Sequence, residues 1–360
     1  MKKLRRFVSM LLCSVMVVSM VACGSNSNSE SKETTAAAQT ETESASASAA
    51  SQEGASYDWI LALSVDEDSI PYATANKFSE LLAEKSGGRM VVHVYPNGQM
   101  GGDTEIVESV QSGAYAFMCN MPSSSSAIVP EGAIFDLHGC FTTVDQARTA
   151  VDSEAFMTLI NEAYNQYNFN ILGFSDLGFR MLTSSREINS LADLKGFKVR
   201  VMENPHQIAF WNALGASATP LAWGETYLGL QQHTVDGCEQ PYDFIVSARL
   251  YEVQSYVYRT NHLFQYALLA MNNDQYRALP DADREIVDEA AAEACQYGRD
   301  LIDGRIEERA AFIDSQGVTI ADAPDDVMEM IGQVSDNYAD EIISYCGEEL
   351  YNTFVKSAGN

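Results

Sequence analysis

MVVHVYPNGQMGGDTEIVESVQSGAYAFMCN, residues 90–120, decides the fold class. Met90 to Tyr95 is a run of strand formers, and Pro96-Asn97-Gly98 closes it with a turn. Asp103 then stands where it can cap a helix that carries Ile106, Val107 and Val110 on one face. A second strand candidate follows from Tyr115 to Asn120. Upstream, Trp59 to Val65 reads as a strand and Pro71 to Lys85 as a helix with Phe78, Leu81 and Leu82 on one face, stopped by Gly87-Gly88. Strand, helix, strand, helix, strand within about sixty residues, joined by short Gly or Pro links, predicts a parallel α/β layer.

The alternation resumes downstream. A helix candidate at Asp145 to Tyr167 leads to strand candidates at Phe169 to Phe174 and Phe197 to Met202, then helices at Pro205 to Leu214 and Glu225 to Gln232. Two such units predict two lobes. From Asp281 onward the chain is amphipathic and helical, with small residues at Ala290 to Ala294, which predicts a packing layer.

The first residues carry an address. Lys2, Lys3, Arg5 and Arg6 precede an apolar stretch from Phe7 to Val21, which is the order of a secretory signal over residues 1–22. Its length falls short of the roughly 20 residues a membrane-spanning helix needs. Met20-Val21-Ala22-Cys23 resembles a bacterial lipobox, so Cys23 is expected to carry lipid after cleavage. Residues 24–56 are almost entirely Ser, Thr, Ala, Glu, Gln, Asn and Gly, without a side chain large enough to offset ordering entropy, and predict a disordered tether to a folded domain at 57–360.

Charge and cysteines narrow the class further. The chain carries −28, and cleavage before Cys23 removes four cations and no acid, leaving −32. Such a surface argues against nucleic acid or anionic lipid surfaces as partners. Cys119, Cys140, Cys238, Cys295 and Cys346 are widely spaced and odd in number, and no close pair of Cys or His is present, so no metal or cofactor is expected. GxSxG, GxxxxGK[ST] and GxGxxG are all absent, and no local pair of carboxylates stands out, so no catalytic residue is expected.

One stretch breaks the acidic pattern. Arg180, Arg186, Lys195, Lys198 and Arg200 face only Glu187 and Asp193 within residues 180–200, a local charge of +3. An anion-binding surface is the functional inference; ordinary ion pairs with distant acids are the structural one.

EKSGGR (84–89), YPNGQMGGD (95–103), GFR (178–180), LKGFKVRV (194–201), AWGE (222–225) and VDGCEQP (235–241) together resemble one family: the DctP-like solute-binding subunits of tripartite ATP-independent periplasmic (TRAP) transporters. The likeness runs in order from about residue 57 to 300. It implies a two-lobed α/β fold of the periplasmic-binding-protein kind, with hinge strands and a long connecting helix, closing over a ligand. It also implies a small and a large integral membrane subunit as partners. Lobe one would comprise roughly 57–177 and 266–305, and lobe two roughly 178–265 and 306–360.

The resemblance assigns Arg200 to the ligand carboxylate, a role that suits the planar fork of donors on guanidinium. Arg180 would be a second cationic contact and Trp223 an aromatic wall. Gln240 stands where the family usually has Asn before the proline. Asp103 would also touch the ligand, and Ser64 and Met121 occupy positions where relatives that bind sialic acid use polar groups. Met121 cannot bond a polyol strongly, so a smaller or less polar carboxylate is expected, with Ser123 to Ser126 offering short-range hydroxyls. The function implied is a lipid-anchored extracytoplasmic receptor that delivers a small organic carboxylate to a permease. A ligand-sensing receptor for a signalling partner and an extracellular hydrolase remain as alternatives.

Overall fold

The computed structural model describes residues 54–359. The signal segment, Cys23 and all but the last few tether residues lie outside the described residues. Eleven strands are described: β1 (Tyr57–Ala62), β2 (Met90–Tyr95), β3 (Phe117–Asn120), β4 (Phe169–Phe179), β5 (Met181–Ser184), β6 (Lys198–Val201), β7 (Ser217–Pro220), β8 (Gly237–Gln240), β9 (Tyr256–Arg259), β10 (Phe264–Asn272) and β11 (Thr319–Asp322). They build two sheets, ordered β2-β1-β3-β10-β4 and β11-β9-β5-β8-β6-β7.

The expected parallel layer is correct for β1 with its neighbours β2 and β3 and for β8-β6-β7. Both sheets are nevertheless mixed. β10 runs antiparallel to β3 and β4, and β5 runs antiparallel to β8 and β9. The reason is the chain's route: β4 passes into β5 across the single residue Arg180, and β9 returns into β10, so the returning strand enters the first sheet from the opposite direction. The two crossings lie side by side, with Arg180 N–H donating to the Leu263 carbonyl at 2.8 Å. This pair of strands is the hinge.

Local chemistry explains the other departures. The expected helix over 145–167 is two helices, Val144–Asp152 and Glu154–Gln166, because Ser153 leaves the helical region (ψ 123°) and its hydroxyl accepts the Phe156 N–H. Asp103 does not cap its helix; Gly102 is the capping position, and the Asp103 carboxylate turns elsewhere. Two motif glycines have steric reasons. A Cβ on Gly237 would sit 2.1 Å from the Thr183 carbonyl oxygen, and Gly178, at φ +87°, lies in β4 beside a register shift against β10.

The helix Asp281–Ser315 joins the lobes. At 1.5 Å per residue it is about 50 Å long. Its early residues Val287, Ala290, Ala291 and Ala294 pack with Phe78, Leu82 and Phe117, whereas Ile313 packs with Leu230, Ile245 and Val257 on the second sheet. Small residues at 290, 291 and 294 let it approach the helix Ile70–Lys85 closely.

The expected assignment of residues 306–360 to lobe two needs correction. Val327, Ile331 and Val334 do pack with Trp211 and Phe197 on the second sheet, but Ile342, Cys346, Leu350 and Phe354 pack with Phe135, Phe156 and Phe174 on the first. The helix Asp325–Cys346 crosses back, and the helix Glu348–Ser357 completes the first core. Cys119, Cys238, Cys295 and Cys346 are buried thiols outside any disulfide. Among the described residues no helix is long and apolar enough to cross a membrane, and no cluster of ligating side chains is placed to hold a metal.

Candidate functional site

Parallel strands in each sheet end toward a common cleft, where open α/β folds place their ligands. Asp103, Thr104, Ser123 and Ser124 line it from the first sheet; Arg200, Met202, Glu203, Leu221, Ala222 and Trp223 line it from the second. The cleft holds about 330 Å³ of atom-free space, part of it open to solvent.

Arg200 lies on β6 and is 2 % exposed. Its Nε and Nη2 donate to the Leu221 carbonyl at 3.0 and 2.7 Å, which fixes the guanidinium plane. The Trp223 ring lies 5.5 Å from Arg200 Cζ, within cation–π range, and stacks obliquely on Phe244. No carboxylate among the described residues forms an ion pair with Arg200, and its Nη1 is buried without a hydrogen-bond partner. Burial pushes up the adjacent Cys238 thiol, while the charge of Arg200 and a weak hydrogen bond with its side chain hold it down in part. A buried cation with an unmade hydrogen bond is unfavourable, so this end of Arg200 is complementary to an anion.

Opposite stands Asp103. Its Oδ1 accepts from the Ser64 hydroxyl at 2.7 Å and the Asn120 amide at 3.2 Å. Burial raises the Asp103 carboxyl above its ordinary value, and Ser64 and Arg200 pull it partly back. Ser64 therefore positions Asp103 and does not itself line the cleft.

The four serines divide. The Ser123 hydroxyl donates to Asp136 at 2.9 Å and the Ser124 hydroxyl to the Met121 carbonyl at 2.7 Å, so both line the cleft with their donors already engaged. Ser125 bonds Tyr164, and Ser126 donates to the Ser123 carbonyl; neither lines the cleft. Asn204, just after β6, bonds Ser126 Oγ at 3.0 Å and Asp136 Oδ2 at 2.8 Å while capping the helix Pro205–Ala213. That network ties the two lobes beside the cleft.

Arg180 is placed differently from the expected second cationic contact. Its guanidinium is fully buried, held by the Glu239 carboxylate, the Glu239 carbonyl and the Gln265 side chain. His262 adds a bond to the same carboxylate at 3.2 Å, and Thr260 holds the other ring nitrogen at 2.8 Å. Burial pushes Glu239 up, but Arg180 and His262 outweigh it and hold the carboxyl at about 2. Burial lowers the His262 pKa, and the Nε2–H tautomer suits both bonds, donating to Glu239 and leaving Nδ1 to accept from Thr260. Arg180 touches Met202, one layer behind the cleft, and its charge is neutralised there.

Met121 packs in the first lobe's core rather than on the cleft, and Gln240 is buried at the end of β8 with Oε1 unpartnered, outside the lining. Sequence reading missed Glu203, Met202, Thr104 and Leu221. The signal for the first two was available: they follow β6 directly, three and two residues beyond Arg200, at the carboxyl end of a parallel strand.

The profile of the family described as bacterial extracellular solute-binding protein, family 7 (DctP), matches residues 61–344. A solute-binding protein of Verminephrobacter eiseniae is 31 % identical over 261 residues, which is 72 % of this chain and 78 % of that protein. The TRAP periplasmic solute-binding protein of Roseobacter denitrificans, solved with bound L-galactonate, is 28 % identical with a TM-score of 0.76, covering 85 % of this chain and 99 % of that one. The sugar acid binding protein of Advenella mimigardefordensis, in complex with galactonate, superposes with a TM-score of 0.80 at 24 % identity, covering 85 % of this chain and 98 % of that one, and shares the fold. The two mixed sheets and the long helix superpose on structures of this group, and the chain belongs to the family 7 bacterial extracellular solute-binding proteins, the DctP-like solute receptors of TRAP transporters.

Proposed function

We propose that this chain captures a small organic carboxylate between its lobes and delivers it to the integral membrane subunits of a TRAP transporter. The observation that carries the reading is Arg200: a buried guanidinium with two donors locked onto Leu221 and Nη1 without a partner, in a cleft at the carboxyl ends of strands. Nη1 and the remaining Nη2 hydrogen form the fork that suits the two oxygens of a carboxylate. Trp223 holds the guanidinium from its face. Closure about the β4/β5 and β9/β10 hinge would exclude water from this pair. The acid bound to the wild-type protein after purification is expected to be recovered chemically unchanged by mass spectrometry. Recovery of a hydrolysed product would replace the receptor reading with the hydrolase.

The lipid anchor is part of the same proposal and rests on residues 20–23. Cys23→Ser is expected to move the protein from the membrane fraction to the soluble fraction, with the acyl mass lost from the mature N-terminus. A wild-type protein already soluble, with an unmodified N-terminal residue, would remove the anchor.

A further inference from the structure

The ionisable side chains that line the cleft are Asp103, Arg200 and Glu203. The neighbouring cation, Arg180, is held by Glu239 and adds no free charge. A ligand carboxylate seated on Arg200 therefore cancels the lining's positive charge and leaves two acids facing the rest of the ligand.

Asp103 is the better placed of the two. Ser64 and Asn120 both donate to Oδ1, which orients the carboxylate, and no hydrogen bond from the described residues reaches Oδ2. Glu203 is exposed and makes no ion pair among the described residues. The hydroxyls of Ser123 and Ser124 already donate to protein acceptors, so they offer little to a second anion. A second carboxylate on the ligand would meet like charge in a confined space, whereas a cationic nitrogen would meet an oriented acceptor. The strongly acidic chain adds a long-range field of the same sign.

Resting on the carboxylate reading above, we propose that the ligand is a zwitterion, with its carboxylate on Arg200 and a cationic nitrogen toward Asp103, rather than a dicarboxylate or a hydroxy acid whose far end is uncharged.

Three probes share a four-carbon chain and one carboxylate and differ at the far end: 4-aminobutyrate, 4-hydroxybutyrate and succinate. Titration calorimetry of the full chain in detergent is expected to give the tightest binding for 4-aminobutyrate, with succinate weaker by about a hundredfold. Asp103→Asn should cut this preference by about tenfold or more, and Glu203→Gln should cut it less. The Glu203 variant alters an exposed side chain and keeps the test open if Asp103→Asn fails to fold. Succinate or 4-hydroxybutyrate binding as tightly as 4-aminobutyrate would overturn the inference, as would an unchanged preference in the folded Asp103→Asn variant or no binding by any probe at millimolar concentration. Arg200→Ala separates the two layers of the argument: binding of 4-aminobutyrate that survives it would overturn the carboxylate reading itself.

Discussion

Arg200→Ala is expected to weaken binding of the copurifying acid by two to four orders of magnitude. Removing one partner of a buried charge pair typically costs ~3 to 5 kcal/mol, and each ~1.4 kcal/mol is tenfold in affinity. Most of the loss comes from the ligand carboxylate left in a cleft without its counter-charge. Arg200→Lys keeps the charge but loses the planar fork and the double bond to Leu221, so it should bind poorly too, though better than alanine. Both variants should fold, because Arg200 forms no ion pair with a described acid whose charge would be stranded. Stability should fall by only ~1 to 3 kcal/mol for the hydrogen bonds lost to the Leu221 carbonyl. Titration calorimetry alongside thermal unfolding separates the two effects. Unchanged affinity in the alanine variant would take Arg200 out of the site.

Arg180 should behave in the opposite way. Arg180→Ala strands the Glu239 carboxylate, fully buried beside His262, and should cost ~3 to 5 kcal/mol of folding stability. The double variant Arg180→Met/Glu239→Gln removes both charges and should recover most of that loss. The pair also sets an acid limit. The folded pKa of Glu239, about 2, lies below its ordinary 4.5. The stabilisation is therefore fully present above pH 4.5 and is lost as pH falls from there towards 2. Urea unfolding across that range should show this loss in the wild type and a shallower one in the double variant. An Arg180→Ala protein as stable as the wild type, or equal acid sensitivity in both proteins, would mean that the buried network contributes little.

These two arginines show where reading a sequence stops. Both stand in the basic stretch 180–200, and both matched family segments, so charge and motif made each of them a cationic contact to the ligand. Their difference lies in Glu239, 59 residues from Arg180 in the chain but bidentate with it across β5 and β8. No local pattern marks that acid as the partner. Ser64 and Asp103 make the same point at 39 residues' separation: the serine expected to touch ligand instead orients the acid that does line the cleft.

The strands divide in a similar way. Met90–Tyr95 and the helices on either side were legible because one face is buried and alternation or helical spacing records it. Phe264–Asn272 is buried on every residue, so it carries no periodicity, and its antiparallel direction follows only from the hinge it leaves.

By itself, the sequence determined the α/β class, the pairing of two layered units, the strongly acidic character of the chain, and the position of Arg200 on a strand. Each of these rests on residue spacing or on summed charge, which survive without coordinates. Only the tertiary structure decided which arginine is unpaired, where the last helices pack and which acid faces the cleft. Those depend on contacts between residues tens to hundreds of positions apart, and a buried charge has a free valence or a filled one only once its neighbours are in place.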